Sequence, residues 1–316
     1  RSDAYYLLQP AVQVVTDLPL HRLELIGMLN VRRHAHEKLR DQETYFLSGA
    51  GRIDVGSSAH IKGELQYGRQ AESPFASDVI SDVSVLSEYT SLNQSITGVY
   101  NVGRLRLTGK GQHLTYRFNQ IFFTDGSSRD QRDRNRDLDR VSAQVEYALS
   151  PNVAAFTQVN YEVTKFAAVR VGGLPPRSSK AISMLGGWNF DLAGIMRGSV
   201  AAGYVNRRYT ASLYENQSGL VVQARADFFV SPLTTVSAGV QRTLQDAATS
   251  RNGSYTDTRA NVTIDHALLR NLILSADATV SHNKLLETDA SSRRRLVSIG
   301  ARYQSNRAVS VETNVR

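Results

Sequence analysis

Apolar and polar residues alternate with a period of two along almost the whole chain, and hardly any window shows apolar positions at helical spacing. Val153, Ala155, Thr157, Val159, Tyr161 and Val163 share one face of an extended segment, with Ala154, Phe156, Gln158, Asn160 and Glu162 opposite. Leu272, Leu274, Ala276, Ala278 and Val280 repeat the pattern against Ser275, Asp277, Thr279 and Ser281. So do Ala59, Ile61, Gly63, Leu65 and Tyr67 against His60, Lys62, Glu64 and Gln66. Such segments are long strands with one apolar and one polar face.

Tight turns punctuate these strands near Pro19, Ser57, Gly103, Pro151, Ala193, Pro232, Arg270 and Asn306. Ser150-Pro151-Asn152, Ser231-Pro232-Leu233 and Ser305-Asn306-Arg307 carry the residues that short turns use. Between successive turns lie longer polar connections at 71–88, 121–140, 165–180, 209–218, 246–256 and 284–294. The stretch 121–140 is the clearest of them, dense in arginine and aspartate. Eight turns that each join two strands predict sixteen strands in up-and-down order, a repeat of about 40 residues per hairpin. No composition shift marks a second domain.

A soluble sandwich or solenoid and a transmembrane barrel share this periodicity, so the choice rests on other features. Strands of about 10–14 residues suffice to cross a tilted bilayer path, whereas soluble strands centre on about 5–6. Short turns at one end and long loops at the other are the asymmetry of an outer-membrane barrel. Tyr100, Tyr147, Trp188, Phe190, Phe228 and Tyr303 gather near the short-turn ends of the apolar face, as an interfacial girdle would. A long meander also leaves edges that only closure removes. The expected fold is therefore all-β, an antiparallel up-and-down transmembrane β-barrel of about sixteen strands, in one domain over 1–316.

The segments 187–205, 229–242 and 261–280, with the turn phrases Leu149-Ser150-Pro151-Asn152 and Leu268-Leu269-Arg270-Asn271-Leu272, resemble the outer-membrane family called putative β-barrel porin 2. The resemblance is closest over 140–316 and looser before it. Its motifs are turn and girdle patterns, not catalytic signatures. Members of that family are often associated with capsule or exopolysaccharide gene clusters, so the resemblance implies a role in the Gram-negative cell envelope and a place in the bacterial outer membrane. The implied surroundings are outer-membrane lipid and lipopolysaccharide, with polysaccharide as a possible partner and no nucleic acid.

Composition narrows the chemistry. The 316 residues include no cysteine, which excludes disulfides, thiolate metal sites and thiol catalysis. Lys and Arg outnumber Asp and Glu by 37 to 29, a formal charge of +8 that suits any anionic partner. No apolar run reaches the roughly 18 residues of a membrane helix. The polar faces carry Arg52, Lys62, Glu64, Arg106, Lys110, Glu146, Glu162, Arg197, Arg225, Asp227, Arg259 and Asp277, the lumen-lining candidates. Adding Arg32, Arg207, Arg302, Glu24, Asp54, Asp191, Asp265 and Glu312 leaves the two signs in balance. The basic excess then belongs outside the lumen, in Arg32–Arg40, Lys165–Lys180 and Arg293-Arg294-Arg295. A strongly ion-selective pore would need one sign to dominate its constriction.

Catalytic patterns do not survive inspection. His34-Ala35-His36-Glu37 places two imidazoles on one face but sits beside arginines in a loop. Gly103 to Gly111 lacks the glycine spacing of a phosphate loop, and no Ser or Thr follows Lys110. Ser281 and His282 are adjacent on a strand and point to opposite faces, which separates nucleophile from base. His113 and His266 fall in the apolar-face register near strand ends. No catalytic residue, metal site or cofactor is expected. Three roles stay open: a polar conduit or assembly component for envelope polysaccharide export, a general diffusion porin, and a structural barrel anchoring surface material through basic loops. The first strand (5–17) and the last (307–316) both have their outer ends on the long-loop side. One further strand at each end, eighteen in all, would bring both termini to the periplasmic side.

Overall fold

The computed structural model describes residues 4–18, 21–36, 41–72, 84, 87–170, 172–192, 194–246, 254–286, 290–305 and 310–315. It is an antiparallel meander. The first strands are β1 (Tyr5–Leu8), β2 (Ala11–Leu18), β3 (His21–His34), β4 (Gln42–Val55), β5 (Ala59–Ala71), β6 (Glu88–Val102) and β7 (Leu105–Phe118). A small hairpin, β8 (Ile121–Phe122) with β9 (Ser128–Arg129), interrupts the longest connection. The meander resumes with β10 (Arg136–Ser150), β11 (Val153–Phe166), β12 (Ser179–Leu192), β13 (Met196–Tyr209) and β14 (Gln217–Ser231). It ends with β15 (Thr234–Asp246), β16 (Ser254–Leu269), β17 (Leu272–Leu285), β18 (Ser291–Gln304) and β19 (Ser310–Val315). Each wall strand pairs with its sequence neighbours, and β7 pairs with β10 across the β8–β9 excursion.

The predicted sixteen strands are present once β1 and β2 are taken together. Both lie along β3 in one continuous register, Leu8 opposite Val31 and Ala11 opposite Met28. Pro10 interrupts the ladder because it has no N–H to donate. Its carbonyl still accepts from the Leu29 amide at 3.1 Å. An edge strand is where a sheet tolerates proline. Strands meet at short turns around Ser57, Gly103, Pro151, Pro232 and Arg270 as the sequence predicts. The turn centres Pro19, Ala193 and Asn306, and most of the connections 71–88 and 246–256, lie outside the described residues. Gly56 and Gly103 supply the positive φ that two of the turns need.

Three features differ from the sequence expectation. Interior strands run 13–16 residues, most of them at the upper end of the 10–14 expected and a few just beyond it. The connection expected at 121–140 ends earlier, because Arg136–Arg140 already belongs to β10 and pairs with β7 and β11. The β14–β15 ladder stops at Val222 opposite Arg242, although β14 continues to Gln217 and β15 to Asp246. Leu220 in that unpaired stretch stands opposite Tyr204, so the gap opens at the loop-side end of the wall. Among the described residues, β2 pairs only with β3 and β19 only with β18, so no ladder joins them and the barrel is not closed.

The two faces are cleanly divided. Ile182, Met184, Trp188, Val200, Tyr204 and Leu220 on the apolar face are exposed, while Ala181, Leu185, Ala201, Val205 and Val221 on the other face are buried. The polar face is therefore the sheltered, inner one. The aromatic residues expected as a girdle all lie on the outer face, and Tyr45, Tyr67, Tyr161 and Tyr204 form a second set toward the loop ends. On β11, Val153 to Val163 spans about 33 Å along the strand, which at a tilt of about 40° covers a lipid-facing band of about 25 Å. No helix among the described residues is long and apolar enough to cross a membrane, a statement that does not bear on strands.

Backbones approach each other closely at β12–β13. A Cβ on Gly203 would lie 1.9 Å from the Met184 carbonyl oxygen, and one on Gly187 would lie 2.2 Å from that of Val200. Gly203→Ala is expected to lower stability in detergent by about 2 kcal/mol, since backbone must shift to admit the methyl. Gly63→Ala, where nothing stands within 4 Å, serves as the neutral control; equal melting temperatures for the two variants would contradict the close approach. The turn asymmetry predicts an orientation, with long connections outside the cell and short turns in the periplasm. Exposed Ser128 and Ser57 test it, because the chain has no native cysteine. An impermeant thiol reagent on intact cells should label Ser128→Cys and spare Ser57→Cys; the reverse result would invert the topology.

Candidate functional site: the inner face

All twelve lumen-lining candidates fall on the inner face, because strand pairing carries one register around the wall. Arg52 stands opposite Lys62, Ala50 opposite Glu64, Glu146 opposite Arg106, and Ser142 opposite Lys110. Glu162 faces Arg140, Arg197 faces Asp227, Gln241 faces Arg259, and Thr263 faces Asp277. Several are brought together as ion pairs. Arg52 Nη2 lies 2.7 Å from Asp54, and Lys62 Nζ lies 2.6 Å from Glu64. Asp227 sits 3.6 Å from Arg197 and 3.9 Å from Arg225, and accepts from Ser237 Oγ at 2.7 Å. Arg259 is 3.7 Å from Asp257, while Asp277 accepts from Thr263 at 2.7 Å. Glu146 accepts from Asn189, two strands away. Arg106 and Lys110 share the face without a carboxylate in bridging distance among the described residues.

The best-formed part of this face was not singled out by sequence. Gln158, Asn160, Ser183, Gln223, Gln241, Thr243 and Gln245 line a groove of about 520 Å³ across β11–β15. Gln158 Nε2 donates to Asn160 Oδ1 at 2.7 Å, and Asn160 Nδ2 donates to Ser183 Oγ at 3.1 Å. The floor is apolar, made by Ala181, Leu185, Val205 and Val221, with Leu244 packed against it beside the β14–β15 gap. One end is closed by Glu162, which accepts from Arg140 Nε at 3.1 Å and from buried Arg207 at 3.2 Å. A carboxylate gripped by two guanidiniums ties β10, β11 and β13 together, and removing it would strand Arg207 without that partner. The charge density of 121–140 predicts a loop that reaches Arg140. Pairing with β7 and β11 instead carries the inner register of Ser142, Gln144 and Glu146 on through Arg136, Leu138 and Arg140, where outer Asp137 and Asp139 break the apolar–polar alternation.

Above the groove, arginines stack on inner-face aromatic rings. Arg136 Cζ lies 4.6 Å from the centre of Tyr116, Arg134 4.1 Å from Phe118 and Arg177 5.3 Å from Phe166. Arg134 and Arg177 are only 3% and 2% exposed and come from the connections 119–135 and 167–178. Arg134 also pairs with Glu72 and donates to Gln131 Oε1 at 2.6 Å. These contacts draw two long connections over the loop-side mouth. Beyond the wall, Asp125 accepts from the Ser127 hydroxyl at 2.6 Å and its amide at 2.9 Å, and these bonds hold its carboxyl below the usual range.

The histidine patterns resolve as geometry. Ser281 and His282 stand on opposite faces, as their register with Arg294 and Arg293 shows. His113 Nδ1 lies 2.6 Å from Asp139, and His266 Nδ1 lies 2.9 Å from Thr234 Oγ1, both on the outer face. His34 ends β3 beside the Tyr5 ring, and Glu37 lies outside the described residues. Among the described residues no group of three His, Asp or Glu side chains is placed to hold a metal ion.

Solved structures share this architecture. The ferric-catecholate import receptor Fiu of E. coli K12, in its open form, superposes with a TM-score of 0.54 at 9% identity, covering 99% of this chain and 68% of the receptor. The siderophore receptor PirA of Pseudomonas aeruginosa gives 0.50 at 12% identity, covering 99% of this chain and 62% of that one. PiuA of Acinetobacter baumannii gives 0.50 at 9%, covering 98% and 64%. The chain thus spans about two thirds of the length of these receptors, and at such identity the likeness is one of fold. No curated protein matches the sequence. The family described as Putative beta-barrel porin 2 matches residues 1–316, from end to end. The chain belongs to that family, and it is an outer-membrane β-barrel protein.

Proposed function

We propose that the barrel is a polar conduit for a hydroxyl-rich solute, envelope polysaccharide being the class its inner face suits best. The groove across β11–β15 carries this reading. Amide side chains offer donors and acceptors at neighbouring positions, which is what a chain of sugar hydroxyls presents in return. The apolar floor of Leu185, Val205 and Val221 suits the C–H faces of sugar rings, and Tyr116 stands at its loop-side end. The family resemblance, with its association to capsule and exopolysaccharide gene clusters, points the same way.

Charge supports a neutral cargo more than an ionic one. Beyond the balanced set, the inner face also carries Arg22, Arg136, Arg140 and Arg294 against Asp257. The excess is small, and most of the carboxylates are tied to a guanidinium or hydroxyl partner. Conduction should therefore show little ion preference, tilted slightly toward anions.

Planar-bilayer recordings test both points. Reversal potentials under a salt gradient should be small, and a neutral oligosaccharide should block the current. Replacing Gln223 and Gln241 with leucine should weaken block about tenfold, since each lost hydrogen bond is worth about 0.5–1.5 kcal/mol. Steady conductance with no oligosaccharide block would favour a general diffusion porin. Absence of both conductance and oligosaccharide binding would leave the structural-anchor role.

A further inference from the structure

Charges at the loop-side rim of the outer face are arranged differently on the two halves of the wall. From β3 to β11, cations are matched by carboxylates on the same or a neighbouring strand. Arg33 pairs with Glu43, Arg69 with Glu88, Arg117 with Asp137 at 2.7 Å, and Lys165 with Asp139 at 3.9 Å. From β15 to β18 the pattern changes. Arg242, Arg293 and Arg295 are exposed on the outer face with no carboxylate partner among the described residues. His282 stands opposite Arg293, and Lys284 projects from the same face two residues further on.

The position of this patch matters as much as its sign. Arg295 is directly opposite Val280, and Val297 and Ile299 follow it down the same face, both exposed. Val240 lies just below Arg242, and Val262 below it on β16. The cations therefore crown the apolar band, at the level where acyl chains give way to headgroups. Arg293 and Arg295, two residues apart on one strand, set their Cα atoms about 7 Å apart. Guanidinium groups bind phosphate through paired hydrogen bonds, and the headgroup region screens them less than bulk water does.

We infer that the outer face of β15–β18 is a seat for a phosphorylated glycolipid of the outer leaflet, its phosphates held by Arg293, Arg295 and Arg242 and its acyl chains lying on the valines below. Carboxylates like those on β3–β11 would repel such a lipid, so it docks where Arg242, Arg293 and Arg295 have no carboxylate partner among the described residues. This site is on the opposite face from the groove, and its occupancy does not depend on what the lumen carries.

The test uses the full chain, folded and reconstituted with bisphosphorylated lipid A, with the same lipid after phosphate removal, or with lipid A and millimolar inorganic phosphate. Lipid retained after detergent extraction is counted by native mass spectrometry. Replacing both Arg293 and Arg295 with glutamine should cut retained bisphosphorylated lipid about thirtyfold, as loss of two interfacial cations implies. The control Arg33→Gln/Glu43→Gln, on the paired half, should retain lipid as the unaltered protein does. Dephosphorylated lipid should be retained equally by all three proteins. Equal retention of bisphosphorylated lipid by all three would overturn the assignment, as would equal losses in both variants. Complete displacement by inorganic phosphate would instead show a free-phosphate site and overturn the lipid assignment. Heat-shifted electrophoretic mobility confirms that each variant is folded before lipid is counted.

Discussion

Backbone hydrogen bonding is the constraint on which the rest of this structure depends. A bilayer offers nothing to an unpaired N–H or C=O, and each orphan there costs several kcal/mol. A chain that crosses with strands must therefore pair every strand on both sides through the full lipid band. The meander does this from β3 to β18, with ladders unbroken at lipid depth. Where pairing lapses, it does so at tolerant places. Pro10 lies in the first strand, and the β14–β15 ladder lapses only at the loop-side end, level with the Tyr204 girdle, where headgroups and water can serve as partners.

Given that ladder, period-two alternation sorts chemistry to faces without further instruction. Valines, leucines and two sets of aromatic residues meet lipid, and charges and amides turn inward. The inner face still needs local shaping. Gly187 and Gly203 allow close backbone contact at β12–β13, where side chains would collide with carbonyls. Long side chains also reach across an intervening strand, as in the contact of Arg207 on β13 with Glu162 on β11. The amide groove lies on these same strands. It combines an apolar floor with hydrogen-bonding walls, a composition that neither a purely ionic channel nor a purely apolar one would have.

Much of the fold was legible in the sequence because its signals are local. Turns at Gly103, Pro151, Pro232 and Arg270 depend on a few adjacent residues, and the face of each strand depends only on parity. Parity sufficed to put Arg52, Glu64, Glu162 and Asp277 on the inner side. The loop predicted over 121–140 overruns the start of β10 because Arg136-Asp137-Leu138-Asp139-Arg140 has no apolar outer face, and only pairing with β7 and β11 reveals the strand. The groove was not legible at all. Gln158, Gln223 and Gln241 lie on three strands, and only register and curvature reveal that they share one recess. The rim asymmetry was half visible: Arg293-Arg294-Arg295 stands out as a charge run, but that Arg293 and Arg295 face outward with no carboxylate partner among the described residues depends on cross-strand neighbours.

The central claim is that the apolar face meets lipid and the polar face meets water. Spin labels on single cysteines along β11, in a chain with no native cysteine, test it most directly by comparing relaxation by oxygen, which concentrates in lipid, with relaxation by a water-soluble nickel complex. In reconstituted bilayers, labels at Thr157 and Val159 should favour oxygen, and labels at Gln158 and Asn160 should favour nickel, alternating residue by residue. Reversed alternation, or equal nickel access at all four positions, would contradict the barrel described here.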